Sequence, residues 1–250
     1  MNARSRPGFP ARLDRPVAGA APVRQDVARV PVPQGLGLDS QAVRWAMVTK
    51  LAAQGITDTR VLDALTRIER HRFVDTALAT QAYEDTSLPI GLGQTISKPS
   101  VVARMAELLL AGREGVIGRV LEIGTGCGYQ AAVLSLLGKE VYSIERLRGL
   151  HEKARENLRP LRLPNVHLLL GDGMVGFAQG APYAGIIAAA GGEAVPAAWI
   201  EQLAVGGRLV APVAGAGGMQ ALVVIDKTRN GVQQNRLEAV HFVPLKSGIA

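Results

Sequence analysis

Apolar and polar positions follow two different periods along this chain, and the change of period predicts the fold. Short apolar runs typical of buried strands lie at residues 119–123, 139–145, 166–173, 183–189 and 206–213. Segments with helical spacing separate them, at 129–137, 146–162 and 196–203. Strands that alternate with helices favour a parallel sheet with helices on its faces, so an α/β fold is expected.

The alternation ends near the last residues of the chain. Two β runs, 219–226 and 237–244, are joined by a segment that finishes with Asn230-Gly231, a strong signal for a hairpin turn. A fold built from two dinucleotide-binding halves would continue to alternate strand and helix instead. The sequence therefore predicts a terminal antiparallel hairpin.

The first part of the chain differs in composition from the rest. Residues 1–38 contain six prolines and six arginines without helical or strand periodicity, which predicts a disordered or loosely attached arm. The segment has no apolar run followed by a cleavage site, so we do not expect it to be a secretory signal. The domain is expected over residues 39–250, with helices at 42–51 and 58–68, and Thr57 or Asp58 is expected to cap the second helix.

Composition narrows the possible functions. With 250 residues and 48% hydrophobic content, the chain can bury one sizeable core. Glycines or charges interrupt the long apolar runs, so no membrane span is expected. The single cysteine, Cys127, and four scattered histidines predict no metal site. The net charge is +7, but only 4% of residues are aromatic, so no nucleic-acid partner is expected. We expect a basic cytoplasmic protein.

A glycine-rich turn at residues 121–128, Leu-Glu-Ile-Gly-Thr-Gly-Cys-Gly, carries the main chemical signal. Gly124, Gly126 and Gly128 follow an apolar strand and precede a helix, so a ligand can approach this backbone without meeting Cβ atoms. The pattern E-x-G-x-G-x-G differs from the G-x-G-x-x-G of dinucleotide sites. An ordinary strand-to-helix turn and a dinucleotide site remain alternatives at this point. Cys127 is read as a small filler between two glycines.

Two acidic residues end the next two predicted strands. Glu145 follows the glycine turn by about twenty residues, where a carboxylate can accept hydrogen bonds from ribose hydroxyls. The alternative is a surface acid paired with Arg146 or Arg148. Asp172 lies in Gly171-Asp172-Gly173 after the third strand, and a turn without a ligand is its alternative.

The segment before the core carries a further set of motifs. Residues 82–86 read Ala-Tyr-Glu-Asp-Thr, and residues 88–99 read Leu-Pro-Ile-Gly-Leu-Gly-Gln-Thr-Ile-Ser-Lys-Pro. With GTGCGYQ at 124–130, LLLGDG at 168–173 and HFVPL at 241–245, the chain from about 42 to 246 resembles protein-L-isoaspartate O-methyltransferase. The departures from the family pattern are Leu92, Lys98, Ser100 and Ala184.

The resemblance implies a class I methyltransferase. Its fold is a doubly wound, mostly parallel, Rossmann-like seven-stranded sheet with a terminal antiparallel hairpin and an N-terminal helical cap, here with the cap at 39–100 and the core at 101–250. It implies S-adenosylmethionine as cofactor, isoaspartyl-containing proteins and peptides as substrates, and a monomer. A methyltransferase of another small carboxylate or amine is the alternative enzyme, and a non-catalytic binder that keeps the fold is the alternative outside enzymes.

The resemblance also implies roles for individual residues. The substrate carboxylate is already ionised at neutral pH because its pKa is about 4, so no general base is needed and Ser97 is expected to position it. Asp85, Gln94, Thr95 and Ser97 are the expected substrate contacts. The expected cofactor contacts are Ile96, Ser97, Glu122, Gly124, Thr125, Gly126, Gly128, Tyr129, Glu145, Arg146, Asp172 and Gly173, with the Asp172 carboxylate against the adenine amino group.

Overall fold

The computed structural model of the protein describes residues 41–215 and 218–250. The arm predicted over residues 1–38 lies outside these residues, and it stays a prediction. The described part begins with two helices, α1 (Gln41–Ala53) and α2 (Thr59–Arg67). Asp58 caps α2, since its carboxylate accepts a hydrogen bond from the Arg60 amide at 2.9 Å.

Two 3-10 turns and a short hairpin lead from these helices to the core. The turns span Arg70–Phe73 and Thr76–Gln81, and the hairpin pairs β1 (Leu88–Gly91) with β2 (Gln94–Ile96). The apolar pattern did not indicate this hairpin, because its strands are too short for a period to be visible. Leu92 lies at its tip with φ of 52°, in the left-handed region that a non-glycine residue rarely adopts.

The remaining helices and strands alternate along the chain. They are α3 (Pro99–Leu110), β3 (Ile117–Ile123), α4 (Tyr129–Ser135), β4 (Gly138–Glu145), α5 (Arg148–Leu158), β5 (Val166–Leu170), β6 (Tyr183–Ala188), α6 (Ala197–Gln202), β7 (Leu203–Ala214), β8 (Gln220–Thr228) and β9 (Gly231–Val240). Seven of the strands form one sheet in the order β5-β4-β3-β6-β7-β8-β9. The first five are parallel, and β8 is antiparallel to both of its neighbours. The predicted fold class is confirmed.

The last strand is the one whose predicted position was wrong. The apolar pattern placed it at 237–244, whereas β9 spans Gly231–Val240. The tight turn before Gly231 starts the antiparallel pairing at once, with Thr228 opposite Gly231. Because β9 forms an edge of the sheet, most of its side chains are exposed and polar, and they carry no apolar signal.

The sheet is buried on both faces, as a doubly wound fold requires. Successive side chains of a strand point to opposite faces, and Val120 and Leu121 of β3 belong to two different apolar clusters. One cluster includes Phe73, whose ring meets that of Tyr129 edge-on with centroids 5.4 Å apart. The other is built around Trp199 and Tyr183. The first cluster therefore joins the helical cap to the core.

Candidate active site

A cavity of about 460 Å³ lies at the carboxyl ends of the central parallel strands, the position where open α/β sheets bind ligands. Its volume is within the range of small-molecule sites. Eleven of the predicted site residues line it: Gln94, Thr95, Ile96, Ser97, Gly124, Thr125, Gly126, Tyr129, Glu145, Arg146 and Gly173. The structure thus brings the hairpin β1–β2, the glycine turn and the ends of β4 and β5 around one space.

The glycine turn has a backbone that only glycine adopts readily. Gly124, Gly126 and Gly128 have φ of 91°, 57° and 91°. Gly128 does not line the cavity. It starts α4, and a Cβ at this position would lie 3.0 Å from the side chain of Leu158. The first two glycines therefore expose the backbone to a ligand, while the third allows α4 to pack against α5.

Cys127 lies inside this turn and is 2% exposed. Burial raises the pKa of its thiol to about 11, so the thiol stays protonated at neutral pH. A thiol, unlike a thiolate, is a poor nucleophile. This state agrees with the prediction that Cys127 fills space between two glycines.

Glu145 closes the cavity at the end of β4. It is 5% exposed, and its two carboxylate oxygens accept hydrogen bonds from the amides of Gly126 and Leu147, both at 2.9 Å. Each carboxylate oxygen has a second lone pair, so the side chain can hold the glycine turn and accept from a ligand hydroxyl at the same time. The surface ion pair considered as the alternative is not formed among the described residues.

Glu122 does not reach the cavity, although it belongs to the glycine motif. Its side chain is fully buried and accepts a short hydrogen bond from Ser143 Oγ. Ser143 Oγ lies 2.6 Å from Oγ1 of Thr125, which does line the cavity. Burial raises the pKa of Glu122 to about 8. The residue therefore acts on the cavity through Ser143 and Thr125, and sequence reasoning had not singled out Ser143.

Asp172 lies beside the cavity and is held by backbone amides. Its oxygens accept hydrogen bonds from Met174 at 2.8 Å and from Gly248 at 2.7 Å. Asp172 is not among the lining residues, whereas its neighbour Gly173 is. The Gly173 carbonyl accepts a hydrogen bond from the indole of Trp199 at 2.8 Å. Trp199 thus supports the floor of the cavity, a role that the sequence did not indicate.

A second cavity of about 640 Å³ adjoins the first. Four residues line both of them: Thr95, Ser97, Ala189 and Val243. The polar members of this boundary, Thr95 and Ser97, both come from the end of the β1–β2 hairpin. Val243 belongs to the motif at 241–245, to which no role had been assigned. Ser97 therefore belongs to the wall that the two cavities share.

The departures from the family pattern fall in different places. Leu92 lines the first cavity, Lys98 and Ser100 line the second, and Ala184 lines neither. Asp85, predicted as a substrate contact, also lines neither cavity. Its carboxylate accepts a hydrogen bond from the Ser100 amide at 2.8 Å, in the first turn of α3. Asp85 therefore helps to cap the helix that follows Ser97.

No helix among the described residues is long and apolar enough to cross a membrane. Within the same ranges, His, Cys, Asp and Glu side chains form no group of three or more that could hold a metal ion.

Residues 42–250 match the family model described as protein-L-isoaspartate(D-aspartate) O-methyltransferase. A protein-L-isoaspartate O-methyltransferase from Methylibium petroleiphilum is 58% identical to this chain over 262 residues, and the match covers 98% of this chain and 97% of the relative. A solved protein-L-isoaspartate O-methyltransferase structure has a TM-score of 0.74 at 30% identity and covers 82% of this chain and 66% of its own.

A second solved structure, from Plasmodium falciparum, is described as a protein of this kind in complex with S-adenosyl-L-homocysteine. Its TM-score is 0.69 at 24% identity, and the match covers 81% of this chain and 98% of that one. At this identity the likeness concerns the fold alone. On the family match and the Methylibium relative, the chain belongs to the protein-L-isoaspartate (D-aspartate) O-methyltransferase family.

Proposed function

We propose that this protein repairs damaged proteins by methylating the free α-carboxylate of L-isoaspartyl residues, with S-adenosylmethionine as cofactor. The observation that carries the proposal is the boundary between the two cavities. Ser97 and Thr95 lie on it, so a peptide in the second cavity can present its carboxylate to a ligand in the first.

The first cavity fits S-adenosylmethionine. Its glycine turn admits a ligand close to the backbone, and Glu145 has lone pairs left for ribose hydroxyls. Gly173 and Arg146 border the same space. When bound, the cofactor supplies a methyl group on a sulfonium centre. The chain's own residues supply alignment and the exclusion of water.

Ser97 is assigned a positioning role toward the substrate carboxylate. A hydroxyl that donates to a nucleophile lowers its reactivity, so its benefit must come from orientation. Thr95 and Gln94 both belong to β2 and are the further proposed substrate contacts. Asp85 acts indirectly in this proposal, because its carboxylate is held by the Ser100 amide.

An isoaspartyl peptide and its normal aspartyl twin provide the test. Both carry the same charge, so only geometry can distinguish them, and a misplacement of about 1 Å can cost on the order of a hundredfold in rate. We expect strong preference for the isoaspartyl peptide in a methanol-release assay. Ser97→Ala should lower turnover more than it lowers S-adenosylhomocysteine affinity by titration calorimetry. Equal methylation of the two peptides would favour the alternative, a methyltransferase of another small carboxylate or amine.

We further propose that the protein acts as a monomer. Light scattering coupled to size-exclusion chromatography would measure the mass in solution, for comparison with the 26.3 kDa of one chain. A mass of twice this value would contradict the proposal.

A further inference from the structure

Three side chains form a row of hydrogen bonds from the core to the wall of the cofactor cavity. Glu122 on β3 lies opposite Ser143 on β4 in the sheet, and Ser143 Oγ contacts its Oε2. Thr125 Oγ1 lies 2.6 Å from Ser143 Oγ, and Thr125 is one of the residues that line the cavity. We refer to Glu122, Ser143 and Thr125 as the hydroxyl row. One end is fully buried, and the other belongs to the wall of the cavity.

The protons of this row can be counted. Each hydroxyl has one proton to donate, and an ionised carboxylate only accepts. If Glu122 is ionised, Ser143 donates to it, Thr125 donates to Ser143, and Thr125 shows only lone pairs to the cavity. If Glu122 carries a proton on Oε2, every bond reverses, and the Thr125 proton becomes free to point into the cavity. The charge of Glu122 thus sets what Thr125 offers to a ligand.

The surroundings of Glu122 favour its neutral form at pH 7. Burial and, to a smaller extent, the neighbouring Glu145 carboxylate raise the pKa of Glu122, the side chains of Ser143 and Gln130 lower it, and the resulting pKa is about 8. On β6 and α4, the adjacent residues Ile187 and Gln130 carry no charge. Oε1 of Glu122 is buried without a hydrogen-bond partner within the described ranges, and an ionised oxygen in that position is costly.

We propose that Glu122 is a positioning residue whose neutral form turns the Thr125 hydroxyl toward the carboxylate of the cofactor's amino-acid moiety. This inference rests on the proposed function only for the identity of the cofactor. When Glu122 loses its proton, the hydroxyl row reverses, and the lone pairs of Thr125 face the negative carboxylate. Cofactor affinity should therefore fall as Glu122 ionises.

The test is the affinity for S-adenosylhomocysteine, measured by titration calorimetry between pH 6.5 and pH 9. If only the neutral form binds well, Kd should rise about tenfold between pH 7 and pH 9. Glu122→Gln cannot ionise, so its Kd should change much less over the same range. The amino group of the ligand also titrates, but it does so equally with both proteins. Ser143→Ala interrupts the hydroxyl row and should also reduce the change of Kd with pH. This variant serves as the test if Glu122→Gln does not fold.

A second ligand tests whether the hydroxyl row interacts with the amino-acid moiety of the cofactor. Methylthioadenosine keeps the adenosine and lacks the whole amino-acid moiety, the amino group as well as the carboxylate, so its Kd should be nearly independent of pH with the natural protein. A pH dependence as steep in Glu122→Gln as in the natural protein would overturn the inference, and so would an equally steep dependence for methylthioadenosine. Failure to methylate isoaspartyl peptides would contradict the proposed function and would leave these binding results standing.

Discussion

Replacing Glu145 with alanine tests the assignment of the cofactor site most directly. The change removes two hydrogen bonds from a carboxylate that is 5% exposed, leaving the amides of Gly126 and Leu147 without this partner. A hydrogen bond to a charged group contributes about 1.5–3 kcal/mol. The glycine turn loses one such bond and the ligand loses its ribose acceptor, so we expect cofactor binding to weaken by about 1–3 kcal/mol, which is about 5- to 150-fold in Kd.

The assay is calorimetric titration of S-adenosylhomocysteine at pH 7, with the melting temperature of the ligand-free variant measured in parallel. Glu140→Ala is the matched control. Glu140 lies on the same strand, is bonded to His167 at 2.5 Å and does not line the cavity. Glu140→Ala should therefore leave the Kd for S-adenosylhomocysteine unchanged. A folded Glu145→Ala protein with unaltered affinity would remove Glu145 from the site and would refute the assignment.

Three further predictions concern the support of the site. Gly128→Ala should lower the free energy of unfolding by about 1–3 kcal/mol, because φ is 91° and the new Cβ would lie 3.0 Å from the side chain of Leu158. Urea unfolding measures this loss, which should be smaller for the control Gly231→Ala, because a Cβ there meets nothing within 4 Å. Trp199→Phe removes the 2.8 Å indole donor of the Gly173 carbonyl, which keeps the Gly176 amide at 3.1 Å. The change should cost about 0.5–1.5 kcal/mol and weaken S-adenosylhomocysteine binding, and unchanged unfolding would contradict this role. Deleting residues 1–38 should leave the melting temperature and turnover on short peptides nearly unchanged, whereas a large loss of either would show that the arm belongs to the folded domain.

Buried parallel strands were the most predictable part of the fold. β5 was predicted over residues 166–173 and occupies Val166–Leu170, and β4 was predicted within one residue of its observed start. β4 is mostly buried, and burial on two faces demands such an apolar run, whereas β5 is a half-buried edge strand whose three leucines give the same signal. Apolar periodicity reports burial, so it fails where a strand is held by backbone pairing alone. β9 comes close to this case, because most of its side chains are exposed and Leu237 and Val240 are only partly buried against the core, which is why its predicted position was wrong.

The position of the site was also predictable, but the partners of its acids were not. Strand ends of a parallel sheet meet at one edge, so the glycine turn and Glu145 had to be neighbours. Sequence spacing cannot tell whether a carboxylate faces a ligand or a backbone amide. Asp85 and Asp172 both accept from amides, at Ser100 and at Met174 and Gly248. Those amides come from a helix start, a 3-10 turn and the segment after β9.

Within the described ranges, the residues that line the first cavity include no group that could act as a general base at neutral pH. Of the described residues that line it, none is a histidine, and its one thiol has a pKa raised to about 11 by burial. Glu145 has both oxygens held by amides. These walls have no group suited to removing a proton at neutral pH. A substrate carboxylate has a pKa of about 4 and arrives without a proton to remove, so alignment is the contribution left for the protein to make. The second cavity, where we propose that the substrate lies, carries His241 and Glu238 in its wall, so the absence of a base applies to the cofactor cavity, and the isoaspartyl peptide assay has to separate a carboxylate substrate from the alternative amine.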